Sequence, residues 1–173
     1  MRLAQTEATN SRNRSTVTLK RNEASGIPPI SLTVYALPPT YVDDAEVEIP
    51  SPTPPVKGWV RDRKGRLDKD GRGRPIKNYD EDDPEYQKQL RVARQLQSVK
   101  MVYDALDPTE ITFETSRDGK TPAAYYAGIR EELMAFGFSV GDLVTLVQAV
   151  TETSGLDEEM AERARADFFE TED

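Results

Sequence analysis

The sequence DPEYQKQLRVARQLQSVKMVYDAL, residues 83–106, decides the fold, because it predicts one long amphipathic helix. Pro84 suits the first turn, where a missing backbone N–H costs nothing, and Asp83 and Glu85 lie where the helix dipole favours negative charge. Apolar residues then recur at spacings of three and four and form one stripe: Tyr86, Leu90, Ala93, Leu96, Val99, Tyr103 and Leu106. The helix ends before Pro108, because a residue that precedes proline is disfavoured in the helical region.

Shorter helices are predicted after the long one. Thr121 caps a helix that ends near Phe136, Ser139 caps the most apolar helix of the chain, and a last helix ends near Phe169. The pattern predicts a mainly α fold with a small domain of three to four helices at about residues 83–169. A proline-rich region with short strands and many turns precedes this domain.

The N-terminal third is poor in core-forming residues. Residues 1–27 are polar and lack aromatic side chains, which favours a disordered leader, or an arm that becomes ordered on a neighbouring subunit. Within the proline-rich extended segment, residues 28–77, the alternation at 30–37 predicts a half-buried strand and that at 45–49 a weaker one. A short strand is also compatible with residues 16–20.

Charge is unevenly distributed along the chain. Residues 57–77, which we call the basic ribbon, hold nine basic and three acidic residues, a net charge of +6. Residues 78–173 hold nine basic and 22 acidic residues, a net charge of −13, and comprise a helical domain to residue 169 and an acidic tail at 170–173. This segregation indicates charged partners, or docking of the basic ribbon on its own acidic domain.

Composition excludes several kinds of active site. The chain has no cysteine and no histidine, so disulfides, thiolate nucleophiles, Cys/His metal sites and Ser-His-Asp triads are excluded. The acidic cluster at residues 80–83 is explained more simply by the helix dipole than by a cation, since Ca²⁺ needs about six to eight oxygen ligands. We therefore expect no enzymatic activity and no cofactor. No apolar run approaches the roughly 20 residues that span a bilayer, so we expect a cytoplasmic protein without membrane contact.

The remaining candidate function is binding of other proteins. The long helix carries more apolar positions than one stripe needs, with Val92 and Val102 off the main face. Core packing and a partner groove or oligomer contact explain this excess equally well, so a second copy of the chain is also a candidate partner. The candidate partner-binding residues are Trp59, Tyr86, Leu90, Val92, Val99, Val102, Phe168 and Phe169.

The order of features resembles that of the tail assembly chaperones of long-tailed, siphovirus-like bacteriophages. A proline-rich opening is followed by a charged ribbon, the start Asp82-Asp83-Pro84-Glu85-Tyr86, the stripe Leu90–Leu106 and the apolar helix Leu143–Val150. The resemblance covers roughly Pro28 to Ala149. It implies a non-enzymatic helper that coats the hydrophobic tape-measure protein, helps recruit tail-tube subunits and acts in the host cytoplasm.

Two other functions stay open at the level of sequence. The basic ribbon and the proline-rich leader depart from the plainest form of the pattern and favour a structural component of the virion, in the tail or head–tail region, that uses its N-terminal arm for subunit contacts. Nucleic-acid binding through residues 57–77 is less favoured, because the ribbon has one aromatic residue, Trp59, and interspersed aspartates.

Overall fold

The protein is mainly helical, as the sequence predicts. The computed structural model describes residues 13–19, 29–156 and 158–169, and these form five helices and two separate two-stranded sheets. In chain order the elements are β1 Arg14–Leu19, β2 Ile30–Tyr35, α1 Tyr41–Glu48, β3 Val56–Trp59, β4 Lys77–Tyr79, α2 Pro84–Ala105, α3 Pro122–Ala135, α4 Val140–Ser154 and α5 Glu158–Phe169. Four of these helices, α2 to α5, lie in the region predicted to be helical, and the fifth, α1, lies in the N-terminal region, where no helix is predicted.

The predicted long helix is α2, and its predicted boundaries are confirmed. The Asp83 carboxylate accepts a hydrogen bond from the backbone N–H of Tyr86 at 2.8 Å and caps the helix, while Pro84 takes the first helical position. Leu106 has an extended backbone and ends the helix. Every other described helix packs against α2, which is the central element of the fold.

The expectation that Val102 lies outside the core is wrong. Val102 and Val99 are both fully buried, and Leu90 is buried as well. The reason is that α1, α3, α4 and α5 contact α2 from several directions, so the C-terminal half of the helix buries more than one face. Val92, in the N-terminal half, keeps 49% of its surface exposed.

The predicted caps of the later helices are confirmed. The hydroxyl of Thr121 accepts a hydrogen bond from the backbone N–H of Ala124, and Ser139 and Asp142 form a complete capping box. Gly155, at φ 63°, ends α4 in the left-handed conformation that glycine adopts without a steric penalty.

The strands β1 and β2 form an antiparallel hairpin that packs on α4. Leu32 and Val34 lie buried on its inner face, as the alternation predicted, and the hydroxyls of Ser15 and Thr153 lie 2.7 Å apart. The prediction of a disordered leader is therefore wrong for residues 14–19. The remainder of the predicted leader, and the acidic tail, lie outside the described residues.

The prediction of a weaker strand at residues 45–49 is wrong, because this segment belongs mainly to helix α1. Tyr41, Ala45 and Ile49 recur at a spacing of four and are buried, whereas Val47 is 83% exposed. The alternation of alanine, valine and isoleucine fits a strand equally well, but burial follows the helical period.

One hydrophobic core joins the two halves of the chain. It includes side chains from β1, β2 and α1 together with side chains from α2, α3, α4 and α5. The core therefore crosses the boundary predicted at residues 77 and 78. The segment from residue 51 to residue 89 contributes no buried side chain, so the basic ribbon lies outside this core.

The contrast between the two valines gives a direct test of this packing. Val102→Ala should lower the free energy of unfolding by about 2 kcal/mol, because it removes two buried methyl groups and leaves a cavity. Val92→Ala on the same helix should change it by less than about 0.5 kcal/mol, since half of that side chain is already in water. Urea unfolding followed by circular dichroism measures both values. Equal losses from the two variants would contradict the burial described here.

Candidate functional site

An apolar groove of about 490 Å³ lies between the first half of α2, the segment that follows α1 and the start of α3. Val92 contributes an exposed side chain, while Ala93 is half-buried and Leu96 is buried. Thirteen residues line the groove: Glu48, Ile49, Pro50, Pro52, Glu85, Lys88, Gln89, Val92, Ala93, Leu96, Thr121, Pro122 and Ala123. The groove is open to solvent along one side and can accept apolar side chains of another molecule.

Three prolines help to give the groove a stiff wall. Pro50 and Pro52 hold the segment after α1 extended, and Pro122 takes the first position of α3 behind its Thr121 cap. Because proline fixes its own backbone angle, little conformational entropy remains to be lost when a ligand binds. The geometry is therefore that of a preformed binding surface.

Charged side chains of both signs lie at the rim of the groove. Glu48 forms ion pairs with Lys100, at 3.2 Å, and with Arg117, and Glu85 accepts a hydrogen bond from the side chain of Gln89 at 3.1 Å. Lys88 forms no ion pair with any described residue. The lining is thus apolar at its centre, with Lys88 and Glu85 at the rim and neither in an ion pair with a described residue, which suits an apolar ligand that carries charged side chains.

A buried polar cluster supports the groove from behind. The ammonium group of Lys100 lies against the carboxylates of Glu48 and Asp104, and over the rings of Tyr41 and Tyr126 at 5.1 Å and 5.5 Å. The hydroxyl of Tyr41 donates a hydrogen bond to Asp104 at 2.8 Å. These contacts tie α1 and α3 to α2 and fix the position of Glu48 at the rim.

The cluster shifts the pKa of its own members. Burial and then the charge of Asp104 raise the pKa of Tyr41 far above its ordinary value of 10.0. Burial alone would lower the pKa of Lys100, but the hydrogen bond to Asp104 and its negative charge raise it instead. Burial likewise raises the pKa of Tyr126. The lysine is therefore charged and the tyrosines are neutral at physiological pH, which suits a structural ion pair.

The basic ribbon contains a second feature of interest, a duplicated turn. In the first turn the Asp62 carboxylate accepts hydrogen bonds from the backbone N–H of Lys64 at 2.8 Å and of Arg66 at 2.9 Å. In the second, Asp70 accepts the equivalent bonds from Arg72 and Arg74, both at 2.9 Å. The backbone N–H of Arg66 holds the pKa of Asp62 below its ordinary value, and Arg74 does the same for Asp70.

The two turns match in their remaining details as well. The guanidinium of Arg66 pairs with Asp62 at 2.9 Å and that of Arg74 with Asp70 at 3.1 Å. One glycine in each turn has φ 76°, a left-handed backbone that other residues rarely adopt. The sequence predicts Asp-led turns at residues 62–66 and 68–72, and the second prediction is wrong by two residues. The hydrogen bonds of that turn begin at Asp70, eight residues after Asp62, and Gly73 takes the left-handed position.

The predicted partner-binding residues do not form one surface. Trp59 is 47% exposed on the basic ribbon, Val92 lies in the groove, and Phe169 is 50% exposed at the end of α5. Tyr86 is half-buried in the first turn of α2. The prediction that the remaining four bind a partner is wrong, because their side chains are buried in the core of the folded chain: Leu90, Val99, Val102 and Phe168.

Sequence reasoning missed most of the groove. The sequence indicates a stiff extended segment at Pro50 and Pro52 and a helix start at Pro122, which describes their local structure and not their position beside Val92. The polar cluster was missed too, because Tyr41 and Glu48 fall on a segment predicted as strand or loop. A period of four from residue 41 to residue 49 was the one signal that would have placed them on a helix.

Acidic and apolar side chains in the described part of the chain bear on two other kinds of site. No group of three or more Asp, Glu, His or Cys side chains there could hold a metal ion. No single helix there is long and apolar enough to cross a membrane, and α3 and α4 meet that test only as a pair that bends by 117° where they join.

Comparison with known proteins adds no relative: no protein-family model, no curated protein and no solved structure matches the chain.

The polar cluster predicts how stability changes at alkaline pH. A folded-state pKa that is raised, as for Tyr41, gives stability that is complete below the unfolded pKa and is lost as pH rises toward the folded value. The free energy of unfolding should therefore fall above about pH 10, and Tyr41→Phe should make this fall shallower while costing about 1 kcal/mol at neutral pH for the lost hydrogen bond. Urea unfolding at a series of pH values measures both effects.

Tyr79→Phe is the matched control, since Tyr79 is an exposed tyrosine at the base of the basic ribbon. The free energy of unfolding of this variant should fall with alkaline pH as steeply as that of the wild type. If the free energy of unfolding of Tyr41→Phe falls with alkaline pH as steeply as that of the wild type, the cluster does not hold the Tyr41 side chain neutral.

Proposed function

We propose that the protein is a non-enzymatic tail assembly chaperone of a long-tailed bacteriophage, and that its groove holds an apolar helical segment of the tape-measure protein. The observation that carries the proposal is the exposed Val92 in a proline-walled apolar groove. This groove lies on α2, the helix that bears much of the resemblance to these chaperones. A tape-measure protein is long, helical and apolar, and it needs such surfaces to stay soluble before assembly.

Helix-in-groove binding suits the shape and charge of the site. An amphipathic helix presents apolar side chains at spacings of three and four residues, and a groove between two helices and a stiff segment accepts such a row. Lys88 and Glu85 at the rim favour a helix that carries charged residues of both signs beside its apolar face. The acidic helical domain would keep the complex soluble in the host cytoplasm. By the same resemblance, tail-tube subunits are the second partner.

A structural component of the virion is the second candidate, and the exposed basic ribbon favours it. A protruding ribbon is a common device for contact between neighbouring subunits. The predicted N-terminal arm supports this candidate less, because residues 14–19 pair with the protein's own β2. Mass spectrometry of purified mature particles separates the two: high copy number in virions would favour the structural component and contradict the chaperone.

Placing a charge in the groove tests the proposed partner site. Val92→Arg should weaken binding of a fluorescently labelled tape-measure helix at least tenfold, because it places an unpaired cation beside Lys88 in an apolar surface. Fluorescence anisotropy titration measures the dissociation constant.

Val47→Arg is the matched control, because Val47 is 83% exposed on α1 and does not line the groove. This variant carries the same added charge and should bind as the wild type does. Two results would contradict the proposal: equal affinity of Val92→Arg and the wild type, or no saturable binding by the wild type to any fragment covering the tape-measure protein of the same phage.

A further inference from the structure

The basic ribbon and its base carry apolar side chains that the described chain covers only in part. Trp59, Leu67 and Ile76 are 47%, 39% and 37% exposed, and Val56 and Tyr79 at the base are 49% and 42% exposed. A two-stranded ribbon without a covered face is at best marginally stable in water. The Asp62 and Asp70 turns hold the backbone in shape, but they bury none of this apolar surface.

The ribbon and its base carry several residues of the types that are frequent at binding hot spots. Tryptophan, tyrosine and arginine are the residue types most enriched at binding hot spots. Between Trp59 and Tyr79 the chain carries five arginines, and two of these, Arg66 and Arg74, are held in fixed positions by ion pairs with the turn aspartates. Fixed side chains lose little entropy on binding, so the ribbon is prepared for contact with a partner.

Charge identifies the partner. Two ribbons repel each other, because each carries a net charge of +6 over residues 57–77, and edge lysines such as Lys57 and Lys69 further oppose strand pairing between them. The complementary surface on the same molecule is the acidic helical domain, since residues 78–169 hold nine basic and 19 acidic residues, a net charge of −10. Contact between the ribbon of one copy and the helical domain of another therefore brings opposite charges together.

Among the described residues, the helical domain of the same molecule does not neutralise the positive charges of the ribbon. The ion pair between Lys57 and Asp80, at 3.2 Å, joins the base of the ribbon to the acidic start of α2. Beyond this base, β3 and β4 contact chiefly each other, and among described residues Arg63, Lys64 and Arg72 at the turns form no ion pair. The free cations point to an acidic surface that another molecule supplies.

We propose that the basic ribbon of one copy docks on the acidic helical domain of a second copy. Such a contact is heterologous, because two different surfaces meet, and it leaves one ribbon and one acidic surface free at the ends. Copies therefore add head to tail, and the association weakens with salt. The contact does not depend on the proposed chaperone function, since it uses the ribbon and not Val92.

Sedimentation equilibrium of the full chain tests the proposal. At low salt the weight-average mass should rise with protein concentration above the 19.4 kDa of one chain, and it should return to 19.4 kDa at about 1 M NaCl, where the screening length falls to about 3 Å. A wild-type protein that stays at 19.4 kDa at all concentrations in low salt would overturn the proposal.

Matched charge reversals locate the contact. Arg63→Glu with Arg72→Glu and Lys120→Glu with Arg165→Glu each change the net charge by −4, from −8 to −12. The ribbon pair should weaken self-association at least tenfold, whereas the control pair, which makes the acceptor domain more acidic, should not weaken it. Equal weakening would overturn the proposal, because only net charge would then matter. Val92→Arg should self-associate as the wild type does, which separates this contact from the groove.

Two further measurements distinguish other arrangements. The ribbon variant retains an acidic surface, so it should cap wild-type assemblies and lower their mass in an equimolar mixture; no change in mass would overturn the head-to-tail arrangement. A labelled single-stranded DNA oligonucleotide probes the rival partner class. Tight binding of that DNA at the ribbon, together with a monomeric wild type, would replace the second copy with nucleic acid.

Discussion

Burial of α2 on several sides at once is the constraint on which the rest of the structure depends. Val99 and Val102 have no exposed surface, and the other four helices pack around the segment that contains them. A helix that is buried on more than one face cannot offer those faces to a partner. The part of α2 that keeps an exposed apolar side chain is its first half, at Val92.

The polar cluster is the second consequence of this central helix. Lys100 belongs to the buried half of α2, and its charge is tolerated because Glu48 and Asp104 lie within ion-pair distance. The same contacts hold the end of α1 against α2. The apolar groove on one side of α2 and the ionic cluster behind it thus share Glu48, so the shape of the binding surface depends on a charge pair in the interior.

Local signals in the sequence predicted local structure well. Asp83 with Pro84, Thr121 with Pro122, and the Ser139 capping box each define a helix start through contacts within four residues, and all three starts are confirmed. The features that the sequence did not predict depend on contacts between residues far apart in the chain. The apolar residues of α1 fit the strand period and the helix period equally well. Packing against α2 determines which of their side chains are buried. The groove joins segments more than 70 residues apart in sequence, from Glu48 to Ala123, and no local pattern encodes that meeting.

The duplicated turn gives the basic ribbon an internal repeat. The Asp62 and Asp70 turns have the same hydrogen bonds, the same left-handed glycine and the same arginine pair at a spacing of eight residues. The two units are also bonded to each other: the backbone N–H of Asp68 donates to the carbonyl of Val60 at 2.9 Å, that of Ile76 to the carbonyl of Asp68 at 3.1 Å, and that of Val60 to the carbonyl of Ile76 at 2.9 Å. Residues 60, 68 and 76 thus form a closed ring of three backbone hydrogen bonds. Removal of one eight-residue unit would open this ring, so the two turns stabilise each other.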